Sequence, residues 1–394
     1  MEIVQEREKA TKAFVNSLMV LITGFAMART MSGLIINYVI DHFGLVGAQQ
    51  GYMISVMNIG TTAAIVSTFL FRGTYKKTSM VTFSCIIMVV MMALTGLSVN
   101  FMMLLIVSLV FGVTLGWIDS YSNQNIVDAD RENSPKNQSA LQGFYGVGAI
   151  IAPIVISMML LSQSWQGVYL ILAPVILASF LVFIITSKVT EKYRSASGME
   201  AKKLSVEEVK LFLKDRVSVY VLLANMTYYI MQYGLFAWLV RYMSVEHESE
   251  ALGMVSITLM WVFTAIARFV APRLPMDNMK IHAYGSVIAG LTLLLGILCK
   301  QPILMCVMVA VGAITTGNSL PTLINRCVVN YQGNSLLPTS SSFLVMQVIG
   351  MTLPPALGAI AVYSMQASMI VLAFGVLVSA FFGFLIMRLS KQAA

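Results

Sequence analysis

Phe101-Met102-Met103-Leu104-Leu105-Ile106-Val107-Ser108-Leu109-Val110-Phe111-Gly112-Val113-Thr114-Leu115-Gly116-Trp117-Ile118-Asp119-Ser120-Tyr121-Ser122-Asn123 is apolar for most of its length and then carries one carboxylate. The run before Asp119 is too long for a strand and long enough for a helix that crosses hydrocarbon, which takes about 20 residues. A carboxylate at such a depth costs roughly 2.5 kcal/mol or more, so its default reading is functional. Asp119 is the only acidic residue sunk well inside such a segment, and Arg29, inside another, is its natural partner.

The same pattern recurs from end to end. The chain has 394 residues, of which 58% are apolar and only 11% charged. Its solvent is therefore lipid, not water. Apolar spans fall near 13–40, 49–71, 78–98, 101–127, 138–162, 166–187, 217–243, 251–272, 281–299, 302–326, 337–363 and 366–388. The runs are long and continuous, not short and alternating, which speaks against a β-barrel. The expected fold is an all-α polytopic membrane protein with twelve transmembrane helices. Spans 1, 4 and 11 exceed a straight crossing, so tilt or a projecting turn is expected.

Basic residues orient the chain. With both termini cytoplasmic, all but four of the 25 Lys and Arg residues fall on the inner side. The exceptions are Arg29 and Arg268 inside spans, and Arg241 and Lys300 at the outer edge. The net charge of +8 is thus topology, and no nucleic-acid partner is expected. Glu2, Glu6 and Glu8 and the length of the first apolar run speak against a cleavable signal peptide. Very short outer loops point to a bacterial inner membrane.

One long polar connection, 188–216, separates an N-terminal six-helix bundle (1–187) from a C-terminal one (217–394). Its later part reads as a short amphipathic helix on the inner leaflet, with Ser205 as N-cap and Glu208 completing a capping box. The halves repeat at an offset of about 201. Ser32-Gly33-Leu34 answers to Tyr233-Gly234-Leu235, Arg72 to Arg273, Gly116 to Gly317, and Gly148 through Pro153 to Gly350 through Pro355. Parallel repeats of this kind imply two pseudo-symmetric halves with a substrate site near the midplane between them.

This layout resembles the major facilitator superfamily. The loop after span 2 keeps the basic residues of that family's signature, as Phe71-Arg72-Gly73-Thr74-Tyr75-Lys76-Lys77, and lacks its Asp. Leu115 to Asn123 is similar to the helix-4 stretch of the fucose-permease-like sugar–proton symporters, with Asp119 in place of Glu and Asn123 matching Asn. Ala140-Leu141-Gln142-Gly143-Phe144 and Gly148-Ala149-Ile150-Ile151 resemble their helix 5. The sugar-contacting Asn of that branch falls at Tyr145, and its helix-1 acid, near Gly33, is missing. The resemblance implies a proton-coupled transporter of a small polar solute.

Candidate residues follow from helical spacing. Asp119 and Asn123 lie one turn apart, with Gly112 and Gly116 on the same face. They form either a cavity wall with a protonatable group or a buried ion pair. Arg29, Gly33, Asn37 and Asp41 make a polar stripe on span 1. Arg29 either holds Asp119 ionised, binds a substrate carboxylate through its planar fork, or snorkels. Gln142 and Tyr145 on span 5, Tyr229 and Gln232 on span 7 and Asn318 on span 10 are candidate hydrogen-bonding groups. Trp238 is a candidate to stack a sugar face. Arg268, one turn inside the end of span 8, reads as snorkelling or as part of an inner gate.

The four cysteines are scattered, with no metal-ligand spacing. No GxxxxGK[ST] occurs, and no base accompanies the buried Asp as a hydrolase would need. No cofactor, no metal and no enzymatic activity are expected. The partners expected are a small-molecule substrate, H⁺ as coupling ion, and membrane lipids, with the protein a monomer. The alternatives are an organic-anion or drug exporter and a non-transporting membrane sensor on the same scaffold. The topology predicts that a reporter active only in the cytoplasm, fused after Ala394, is active. A silent reporter on a stably inserted protein removes the twelve-span arrangement.

Overall fold

Hydrocarbon offers the backbone no hydrogen-bond partner, so each crossing segment must satisfy its own amides and carbonyls. A computed structural model of the chain describes residues 2–70, 75–130, 134–193, 206–330 and 336–392, and among them there is no strand. The helices are α1 (Glu2–Leu34), α2 (Ile36–Phe43), α3 (Gln49–Leu70), α4 (Lys77–Gly96), α5 (Phe101–Ala129), α6 (Ser134–Leu160) and α7 (Trp165–Thr190). After them come α8 (Val206–Lys214), α9 (Arg216–His247), α10 (Glu250–Val270), α11 (Asn278–Cys299), α12 (Pro302–Thr316), α13 (Ser319–Asn330), α14 (Leu336–Ala361) and α15 (Met365–Gln392). Ten stretches of the described residues are long and apolar enough to cross a membrane. The two remaining spans, α3 with 22 residues and α9 with 32, have the length but are studded with Gln, Asn, Ser, Thr and Tyr.

Two spans are discontinuous. Span 1 breaks at Ile35 between α1 and α2, and span 10 breaks at Gly317-Asn318 between α12 and α13. The expected extra length of span 1 appears as α1, which begins at Glu2. Asn100, Ser164, Asp215 and Asp277 cap α5, α7, α9 and α11 by accepting from the amides of Met103, Gly167, Ser218 and Met279.

The chain resolves into two compact units, Met1–Tyr38 with Val56–Lys202, and Val39–Ser55 with Lys203–Ala394. Within the first, α1 packs on α6 and α7, and α4 on α5 and α7. Within the second, α9 packs on α14 and α15, and α11 on α12 and α15. The neighbour pattern repeats when α1 is read as α9, α4 as α11, α5 as α12, α6 as α14 and α7 as α15. The glycines matched in sequence also match in contact. A Cβ on Gly116 would lie 2.6 Å from the Thr61 carbonyl oxygen and 2.7 Å from Ala64 Cβ. One on Gly317 would lie 2.8 Å from Thr264 Cα and 2.8 Å from Ala267 Cβ.

The second unit includes the hairpin between α2 and α3, where Gly44 and Gly47 take left-handed φ of 62° and 56°. Its backbone touches α14, since a Cβ on Gly51 would overlap Pro354 and Pro355, and Asp41 pairs with Arg241 at 3.2 Å. Asp41 therefore belongs with this hairpin, beyond the break at Ile35, and does not continue a straight stripe from Arg29.

The amphipathic helix forms as α8, while its expected cap at Ser205 and the loop residues Phe71 to Thr74 lie outside the described residues. Instead of lying on lipid alone, α8 inserts Phe212, fully buried, among Val221, Leu222, Met279, Leu323 and Leu337. All four cysteines are free, with Cys306 buried and Cys299 exposed.

The tightest seam of the first unit joins α3 to α5. Thr61 Oγ1 donates to the Gly112 carbonyl at 3.0 Å, and a Cβ on Gly112 would overlap the Met57 carbonyl oxygen. Gly112→Ala therefore forces backbone apart, at about 1–3 kcal/mol for overpacking, and lowers the melting temperature in detergent. Gly143→Ala, where a Cβ meets nothing within 4 Å, is the control expected to melt like the parent.

Candidate functional site

In the first unit the polar residues gather where α1 meets α5 and α6. Helix α5 carries Asp119 at a position where a free carboxylate would be expensive, and two groups meet it. Asn123 Nδ2 donates to Asp119 Oδ1 at 3.1 Å and to its carbonyl oxygen at 2.8 Å, closing one helical turn. Arg29 of α1 is the opposite charge that acts on the carboxylate. Asp119 and Arg29 are both half-buried, so the pair is neither sealed nor free in lipid.

Asn37 lies past the break of span 1, 3% exposed, and among the described residues neither its amide nitrogen nor its oxygen has a hydrogen-bond partner. Tyr145 of α6 sits against Phe25 of α1, ring centroids 6.2 Å apart and tilted by 56°. Gln142 lies on the exposed face of α6. The structure thus brings Asp119, Asn123 and Arg29 together, places Tyr145 against α1, and leaves Gln142 exposed.

Lys76 and Lys77 of the signature loop find acids in the same unit. Lys77 Nζ pairs with Asp128 at the end of α5 at 2.6 Å, and Lys76 pairs with Glu191 at 2.9 Å. In the Lys77–Asp128 pair the loop supplies the cation and α5 the anion.

In the second unit the polar residues gather around the break of span 10. Tyr228 donates its hydroxyl proton to Gln232 Oε1 one turn on, is hydrogen-bonded to Thr316, and feels the charge of Arg268. Arg268 Nε donates to the Gly317 carbonyl at 3.3 Å. Arg268 therefore holds a carbonyl at the helix break; it does not snorkel along the end of α10, as its position in the sequence suggests. Asn318 Nδ2 donates to Thr322 Oγ1 at 3.2 Å. Tyr229 stacks edge-on against Tyr228 at 5.3 Å and tilted against Tyr233 at 5.5 Å. Trp238 is 1% exposed and packs beside Gly358 of α14.

A buried histidine supports the same break. Ser379 Oγ donates to the Ala224 carbonyl at 2.7 Å, so its only proton is committed. His282 Nε2 must then donate to Ser379 Oγ, 3.4 Å away, and Nδ1 accepts from Ser319 Oγ at 2.9 Å. Ser319 is the first residue of α13. The tautomer and the start of α13 are fixed together, on α9, α11 and α15.

Tyr228, Thr316 and Arg268 are the residues that sequence reasoning passed over as site groups. The spacing of Tyr228 and Gln232 at i and i+4 was a usable signal. The roles of Thr316 and Arg268 depend on the break at Gly317, which a hydropathy average does not see. Among the described residues no three His, Cys, Asp or Glu side chains gather as a metal site would require.

The Arg29–Asp119 arrangement makes a direct prediction. Arg29→Ala strands a carboxylate in the apolar interior and should cost about 3–5 kcal/mol. Arg29→Ala with Asp119→Asn removes both charges and should recover most of that loss. Thermal unfolding in detergent measures both, and a double variant no more stable than the single one excludes the pairing.

A family model described as Major Facilitator Superfamily matches residues 18–336. No curated protein matches the sequence significantly. Among solved structures, a bacterial homolog of the human lysosomal transporter Spinster aligns with 15% identity and a TM-score of 0.74, covering 96% of this chain and 97% of that one. The transporter FucP aligns with 16% identity and a TM-score of 0.66, covering 95% and 99%. A second structure of it, as the E. coli fucose:proton symporter, aligns with 16% identity and a TM-score of 0.64, covering 94% and 98%. At these identities the likeness is one of fold.

Proposed function

Because the chain belongs to the Major Facilitator Superfamily, we propose that it is a secondary active transporter that works by alternating access on a small polar solute, a sugar or sugar acid, with H⁺ as the coupling ion. The observation that carries the proposal is the half-buried carboxylate of Asp119, bonded to Asn123 and facing the charge of Arg29. Ionised, Asp119 neutralises Arg29 and holds one conformation. Protonated, it releases Arg29 and lets the protein reorient. A solute:proton symporter among the structural neighbours supports this assignment of roles.

The groups proposed for solute binding are, in the first unit taken by itself, Arg29, Asn37, Asp119, Asn123, Gln142 and Tyr145, and, in the second taken by itself, Tyr229, Gln232, Trp238 and Asn318. The orphaned amide of Asn37 supports its place in this set, since a buried, unpaired amide costs about 1–3 kcal/mol until a partner arrives. The distribution of basic residues supports a multi-pass protein of a bacterial inner membrane with both termini cytoplasmic, and the working unit is a monomer of two six-helix halves joined through 188–216.

Asn is the closest neutral copy of a protonated Asp and cannot release a proton. Asp119→Asn reconstituted in liposomes should therefore lose accumulation driven by an imposed pH gradient while retaining solute exchange. Accumulation at the parent rate in Asp119→Asn rules out the proton role.

A further inference from the structure

Arg268 places a second cation inside the apolar part of the molecule, and its surroundings differ from those of Arg29. The lipid-facing side of the last turn of α10 is formed by Ile266, Phe269 and Val270, all exposed. Arg268 turns the other way, towards Tyr228 of α9 and the break between α12 and α13. Its Nε is held by the Gly317 carbonyl at 3.3 Å, which fixes the guanidinium plane. Among the described residues, no hydrogen bond and no ion pair is made by its two terminal nitrogens.

The sequence explains why, among the described residues of the second unit, no carboxylate answers this charge. The acids of the second unit are Asp41, Glu207, Glu208, Asp215, Glu246, Glu248, Glu250 and Asp277, and none follows Asp277. All of them lie near the ends of the membrane helices or on α8. Asp277 is the nearest along the chain, and its carboxylate is engaged by the amides of Met279 and Lys280. Arg29 has Asp119; Arg268 has a carbonyl and a phenol. A guanidinium in an apolar setting is costly unless a counter-charge reaches it. Two parallel N–H groups in a fixed plane match the two oxygens of a carboxylate. Gln232 and Thr316, both bonded to Tyr228, carry amide and hydroxyl groups of the kind that bind a sugar's hydroxyls.

We infer that Arg268 receives the carboxylate of the transported solute, so that the cargo is a sugar acid and not a neutral sugar. This rests on the reading of the chain as a solute transporter, and it moves the anion-recognising role from Arg29 to Arg268. The guanidinium is a specificity residue: it chooses the acid over its neutral counterpart.

The test uses the purified full-length protein in nanodiscs of zwitterionic lipid, with matched pairs of solutes: glucose and glucuronate, galactose and galacturonate, glucose and gluconate. Binding is read by calorimetry for the parent, Arg268→Gln and Arg268→Lys. The parent should prefer the acid of at least one pair. That preference should fall by at least about 30-fold in Arg268→Gln, the scale for leaving one member of a buried charge pair alone. Arg268→Lys should restore part of it, since Lys keeps the charge and lacks the fork. The ratio within a pair is its own control, because both solutes meet the same folded variant. Equal binding of acid and neutral sugar by the parent, or an unchanged preference in Arg268→Gln, overturns the inference and leaves the transporter reading standing. Loss of the preference when phosphatidylglycerol is added to the nanodisc assigns Arg268 to a lipid headgroup and also overturns it. Binding of no member of any pair counts against both readings.

Discussion

Charge in hydrocarbon is the constraint on which the rest of this structure depends. Backbone polarity is absorbed by the helices, which close their own hydrogen bonds. Side-chain charge has no such local solution and must be met by a group from another part of the fold. Asp119 illustrates the rule: Asn123 reaches it from its own helix and Arg29 from another, and the close packing of α1 on α5 is what makes the second partner available. The glycine seam between α3 and α5 serves the same end, because Gly112 and Gly116 let α5 lie backbone to backbone on α3. The carboxylate's position is therefore set by small residues that carry no charge.

The internal repeat shows which parts of this arrangement are scaffold. Gly116 and Gly317 occupy equivalent places, each closed against a Thr and an Ala of the span two before its own. The charged pair does not repeat. At the offset of about 201 that relates those glycines, Asp119 falls opposite Leu320 and Arg29 opposite Ile230. Packing was retained in both halves, while the charged chemistry diverged.

Much of the fold was legible in the sequence because hydrocarbon thickness imposes a length on every crossing element. Hydropathy located the spans, and even α3 and α9, the two most polar, were found by length and position. The breaks at Ile35 and at Gly317-Asn318 were not legible, since a window that averages over a helix is blind to one missing turn. Arg268 follows from that gap. Its distance from the end of α10 suggested snorkelling or an inner gate, and the broken helix exposes a carbonyl that an unbroken helix would not. The amphipathic pattern of α8 was correct, and its destination was not fully readable, because only the tertiary structure supplies the pocket for Phe212. Of the site, the Asp119–Asn123 pair was fixed by helical spacing alone. Tyr228, Thr316 and Arg268 depend on the rotation of three helices about their axes, which a single sequence does not state.

The two units also differ in how their interiors balance charge. In the first, Arg29 and Asp119 sum to zero when the carboxylate is ionised and to one positive charge when it is protonated. In the second, no acid follows Asp277 to offset the charge of Arg268. The charge of the first interior can therefore be changed by a single proton at Asp119, and that of the second by an anion that comes to Arg268. The halves share a packing scheme and differ in the ligand that would neutralise them.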